Sequence, residues 1–123
     1  METQDKLKIG IGNKETANLE AKPVTVEDVQ IRLVKDRIEK IVFKVKHPDS
    51  DDLIELSSAK YIKGNIISVA GLWLKLDSED KIQKGSALAI TLQYYNAESI
   101  EAMKGKELTT ELDAKGYLTI KAY

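Results

Sequence analysis

The chain has no cysteine, which excludes disulfides, thiolate metal sites and cysteine nucleophiles. His47 is its sole histidine, so the paired-histidine zinc motifs are excluded as well. Arginine is nearly missing: among 19 basic residues only Arg32 and Arg37 carry a guanidinium. Lysine is a poor reader of base edges and an adequate point charge for phosphate, so base-specific recognition is disfavoured. The net charge of -1 gives no global positive field to draw in nucleic acid or membrane, and any such role must rest on a local patch. No run approaches the ~20 apolar residues of a spanning helix. Residues 1–8 mix both charge signs and lack the apolar core of a signal peptide. The expectation is a cytoplasmic protein with no membrane partner.

What is present is enough for one packed interior. Of 123 residues 42% are hydrophobic and 32% charged, which fits a single core within a solvated shell. Residues 1–22 carry few large apolar groups and end at Pro23, so they read as a flexible N-terminal arm, with residues 23–123 as a single β-barrel-like domain. Val24 and Val26 alternate, then Val29, Ile31 and Leu33 alternate in the opposite phase, predicting a strand with a bulge near Glu27 and Asp28. A polar turn leads to Ile41, Phe43 and Val45, the second arm of a hairpin. Pro48 and the polar residues after it end that strand. A third strand is expected over residues 53–62. A fourth, over residues 66–76, follows the Gly64-Asn65 turn and carries Gly71, which predicts a bulge or a barrel bend.

Residues 87–95 alternate like a strand and also fit a helix face. Ser86 as N-cap and Asn96 as left-handed C-cap favour a helix, and Ser99 caps a second short helix ending at Gly105. Leu108, Thr110 and Leu112, then Leu118, Ile120 and Ala122, form a closing hairpin. The predicted fold class is mainly β with a short α insert. It is a six-stranded antiparallel, OB-like, partly open barrel with two short helices between strands 4 and 5.

No catalytic constellation stands out, and the expectation is a protein without enzymatic activity or cofactor. His47 with Asp49, Asp51 and Asp52 fails the calcium-loop pattern, because Leu53 and Ile54 stand where a ligand and a glycine belong. Gly10-Ile11-Gly12 lacks the third glycine of a dinucleotide fingerprint. Ser57 and Ser58 lie within an expected strand, with no glycine-flanked nucleophile elbow. A metal-assisted hydrolase built on His47 and the following aspartates is the weakest of three readings.

The constellation that carries chemistry is basic and aromatic. Arg32, Lys35, Arg37, Lys40, Lys44 and Lys46 cluster on the first hairpin, with Tyr61, Trp73, Tyr117 and Tyr123 on later strands. Lysines neutralise phosphates and flat rings stack on bases without demanding a sequence. The rival explanation is that outward lysines keep strands soluble and the rings belong to the core.

Gly85-Ser86-Ala87-Leu88-Ala89, the step from Met103 to Leu108 and Gly116-Tyr117-Leu118 resemble segments of small phage and archaeal proteins. In layout the last third is similar to OB-like single-stranded-DNA-binding accessories of phage replication and recombination modules. The resemblance implies a helical insert and a barrel. It raises the expectation of a nonspecific single-stranded DNA or RNA binder, with Arg32, Lys44, Lys46, Tyr61, Trp73, Lys75, Tyr117 and Lys121 as contact residues. The alternative is a protein-interaction or structural module that binds a partner or itself, with no nucleic-acid role.

Overall fold

The computed structural model describes residues 19–123. Strands β1 (Val24–Lys35) and β2 (Ile38–Lys46) form the expected first hairpin. Its connection holds Arg37 at a left-handed φ of 63° beside a register slip between Leu33 and Lys35, the single left-handed residue with a bulge of the longer hairpin loops. The register shifts between Val26 and Asp28, which is the bulge read from the sequence. The extra residue resets the phase, so Val26 faces Val45 and Val29 faces Phe43, both on the core side.

The remaining elements among the described residues are β3 (Ile54–Leu56), β4 (Ser58–Lys63), β5 (Ile66–Gly71), helix α1 (Ala87–Tyr94), a 3-10 turn (Glu101–Met103), β6 (Glu107–Leu108), β7 (Thr110–Leu112) and β8 (Leu118–Ala122). They make two four-stranded sheets, ordered β3-β2-β1-β6 and β5-β4-β8-β7. The expectation of six strands is corrected to eight among the described residues. Two of the six are bent. The strand expected over residues 53–62 breaks at Ser57, after which the chain leaves β2 and joins the second sheet. The first arm of the closing hairpin breaks at Thr109, between β6 on β1 and β7 on β8. An all-antiparallel sheet is also corrected, since β4 and β8 run parallel, with Ala59 beside Ile120 and Tyr61 beside Ala122.

These bends link the sheets into a curled, barrel-like wall. Pairing runs from β1 to β2 to β3, through Ser57 to β4, β8 and β7, and through Thr109 to β6, which pairs back onto β1. Hydroxyls and amides secure the corners. The Tyr95 hydroxyl accepts from the Thr109 N–H at 3.0 Å and donates to the Lys121 carbonyl at 2.6 Å. Leu72 donates its N–H to the Ser57 carbonyl at 2.9 Å and accepts from the Ile41 N–H at 2.8 Å. The expected fourth strand thus ends at Gly71, and residues 72–74 leave β4 to run beside β2.

The ambiguous segment is helical. Ser86 Oγ accepts the Ala89 N–H at 3.2 Å, Asn96 sits at φ 55° just past the end, and Leu88 and Leu92 enter the core, so both predicted caps act. The second helix is corrected to one 3-10 turn. Ser99 Oγ does cap it through the Ala102 N–H, but Gly105 at φ 84° redirects the chain toward β6 after three residues. The core is filled by Ile41, Phe43, Leu56, Leu72, Leu88, Met103, Leu108 and Ile120, all fully buried.

Residues 1–18 of the expected arm lie outside the described residues. Its end is fastened: Leu19 packs on the core, and the Lys22 carbonyl accepts from Thr110 Oγ1 at 2.7 Å. No helix among the described residues is long and apolar enough to cross a membrane.

Candidate nucleic-acid interface

Directly opposed residues of a strand pair share a face, and successive residues alternate between faces. With Ile41, Phe43 and Val45 turned inward, the register leaves Arg32 opposite Lys40, Asp28 opposite Lys44 and Thr25 opposite Lys46 on the outside of the first sheet. Trp73 bridges to Lys40 beyond the end of β3, and so joins the same outer face. The Lys40 ammonium lies 4.8 Å from the indole centroid, a cation–π distance.

Gly71 makes that placement possible. A Cβ built on it would stand 2.8 Å from Trp73 Nε1 and 3.0 Å from Lys40 Cε, so the indole and the lysine stem occupy the space a side chain would take. Half-buried, Trp73 forms part of the wall of an open cleft of about 470 Å³ with Val34, Lys35, Arg37, Ile38, Glu39 and Lys75. Cation, flat ring and apolar floor therefore meet at the end of the first hairpin.

Part of the positive charge on this face is already matched. Arg32 grips Glu55 with two guanidinium nitrogens, one at 2.7 Å from Oε1, and this hydrogen bonding holds the Glu55 carboxyl below its usual range. Lys46 donates to the Ser50 carbonyl.

The expected contact residues separate into three groups. Arg32, Lys44, Lys46, Trp73 and Lys75 share the outer side of the first sheet or its cleft. Tyr117 and Lys121 belong to the second sheet: Tyr117 is exposed in the loop before β8, and Lys121 faces outward beside Lys60 with its ammonium 4.2 Å from the Tyr123 ring. Tyr61 points inward opposite Ser68 and is largely buried in the core, with an edge that lines a small pocket beside Lys63, Trp73 and Lys75. Lys35, Arg37 and Lys40 line or cover the tryptophan site and were not among the expected contact residues. Their basic type was visible in the sequence, but their proximity to Trp73 depends on residues 72–74 crossing back to β2.

His47 is wholly buried, and both of its nitrogens are engaged by backbone. Nε2 donates to the Glu20 carbonyl at 2.8 Å and Nδ1 accepts the Asp49 N–H at 3.0 Å. Asp49 in turn binds the Lys22 ammonium at 2.7 Å, which lowers the Asp49 pKa below its ordinary value. The polar turn thus clamps residues 20–22 to the domain and leaves the imidazole no lone pair for a metal. Among the described residues no group of three histidine or carboxylate side chains is arranged to hold one.

No protein family matches the chain, and no curated protein or solved structure matches it.

Proposed function

We propose that this protein is a nonspecific single-stranded nucleic-acid-binding accessory protein on an OB-like barrel. The observation that carries the reading is the half-buried Trp73, covered by Lys40 and opening into a cleft where Lys35, Arg37 and Lys75 outnumber the one acid, Glu39. The course of the pairings supports it. If bent strands are counted once, five strands make the ring, with β5 as an additional arm on β4. In OB barrels the face of strands 2 and 3 and the loops beside it bind oligonucleotides. Here that face is β2 with β3, bearing Lys40, Lys44 and Lys46, and Tyr117 occupies the loop before the final strand. A phage-type replication or recombination role follows from the resemblance of the last third alone.

Fluorescence anisotropy with labelled oligothymidine tests the proposal. Affinity falls with added salt, and Trp73→Ala weakens it about 5- to 150-fold, the equivalent of ~1–3 kcal/mol for one stacked base. Absence of binding at low salt overturns it.

One observation favours the second reading, a protein-interaction module. Ile62, Ile66, Ile67 and Val69 are all exposed on the β4–β5 hairpin, where ordinary solubility would place polar residues.

A further inference from the structure

The two sheets end differently. Past its contact with residues 105–108, the free side of β1 carries Asp28, Arg32 and Lys35 and two register shifts. Charges and bulges are devices that keep an edge strand from pairing with another chain. The free edge of the second sheet, β5, has none of them. Its sequence Ile66-Ile67-Ser68-Val69-Ala70-Gly71 holds no charge and no proline, and its pairing with β4 runs from Lys63 opposite Ile66 to Ser58 opposite Gly71 without a shift. Ile66 is 69% exposed, Ile67 50% and Val69 46%. Among the described residues no strand pairs with the far side of β5.

We infer that β5 is a self-pairing edge, on which a second copy of this chain docks antiparallel about a two-fold axis at Ser68. Two features favour a second copy over a different protein. An uncharged edge meets its own image without like-charge repulsion. The side chains also match their images. Leu72, just past the end of β5, directs its N–H to Ser57, and Lys63 and Ile66 close a two-residue turn, so Ile67, Val69 and Gly71 turn their backbone polar groups outward. A two-fold axis at Ser68 then pairs Ile67 with the partner's Val69 twice on the outer face, beside Ile62. On the inner face it sets the large Ile66 against the small Ala70 and Ser68 against its own copy. Two four-stranded sheets become one of eight. The contact is small, below the ~800 Å² per partner of standard interfaces, so the association is weak and concentration-dependent.

The absence of cysteine makes the test clean. Ser68 on the axis occupies a non-hydrogen-bonded pair, where Cα atoms stand ~4.5 Å apart, within disulfide range. Ser68→Cys is expected to cross-link under mild oxidation at least about tenfold faster than Ser78→Cys, which lies in an exposed turn, because pairing raises the local thiol concentration. Adding Val69→Lys to Ser68→Cys removes the advantage while an unchanged circular dichroism spectrum verifies the fold. Sedimentation of the unmodified protein shows a monomer–dimer equilibrium that Val69→Lys shifts to monomer. A protein that stays monomeric at high concentration overturns the inference, whether residues 1–18 or another protein covers the edge. So does a dimer in which Ser68→Cys cross-links no faster than Ser78→Cys. Oligothymidine binding is read separately, so failure of either proposal leaves the other standing.

Discussion

Replacing Gly71 by Ala tests the tryptophan site from beneath. The backbone there has no positive φ, so alanine meets no backbone strain, and on chain entropy alone it should stabilise the protein by ~0.5–1 kcal/mol. The new methyl, however, would lie 2.8 Å from Trp73 Nε1 and 3.1 Å from Cε2, both on a rigid ring, and 3.0 Å from the flexible Lys40 stem. Lysine can give way at little cost, but the indole must move as a body. Overpacking of this kind costs ~1–3 kcal/mol, so the net expectation is a loss of ~0–2.5 kcal/mol, centred on ~1 kcal/mol. At about 4 °C per kcal/mol for a chain of this length, thermal unfolding monitored by circular dichroism should show a fall in Tm. Trp73 is the only tryptophan, so its emission reports the displacement directly, shifting to longer wavelength as the ring swings toward water. Oligothymidine affinity should change with it. A higher Tm with unaltered emission would refute the packing of Trp73 over Gly71 and the geometry of the proposed stacking site.

Two further perturbations address the frame around the site. Tyr95→Phe removes the hydroxyl that joins Thr109 to Lys121 at the second corner, and should cost ~1–3 kcal/mol in urea unfolding, since two backbone groups lose a partner. Burial pushes the Tyr95 phenol above its ordinary pKa, so the corner should hold undiminished into mildly alkaline solution. Glu111 accepts from Lys60 at 2.8 Å and from the Tyr123 hydroxyl, and these bonds lower its pKa from the ordinary 4.5. A carboxyl depressed by folding contributes stability above its unfolded pKa and loses it as pH falls through the lower folded value. Stability should therefore decline below about pH 4.5, and Glu111→Gln should flatten that decline in thermal melts; an unchanged acid slope would refute the coupling.

Much of the local structure was legible because its causes are local. The first hairpin and its bulge follow from the change of phase after Val26, and the helix from Ser86 and Asn96 at its ends. The β4–β5 turn follows from Gly64, which reaches φ 64°. Strand counting failed at two corners. At Thr109 the alternation runs on unbroken from Leu108 to Thr110, which is compatible with a strand that bends from one sheet into another, and only the partners on each side reveal the bend. At Ser57 the inward phase slips from Ile54 and Leu56 to Ala59 and Tyr61, a break that short strands on both sides conceal. The second helix shrank because Gly105 and β6 claimed the chain first.

The candidate site divides along the same line. Composition and alternation by themselves determined a mainly β chain, the absence of thiol chemistry and paired-histidine metal motifs, and a basic outer side to the first hairpin. They could not say which aromatic would join it. Tyr61 and Trp73 have the same amphipathic character in sequence, yet one is opposite Ser68 inside the core and the other beside Lys40 outside. That choice belonged to the tertiary structure. The face a ring takes is set by which strand the chain crosses to after Gly71, and that crossing is fixed by hydrogen bonds to Ser57, Ile41 and Glu39, residues far away in the sequence.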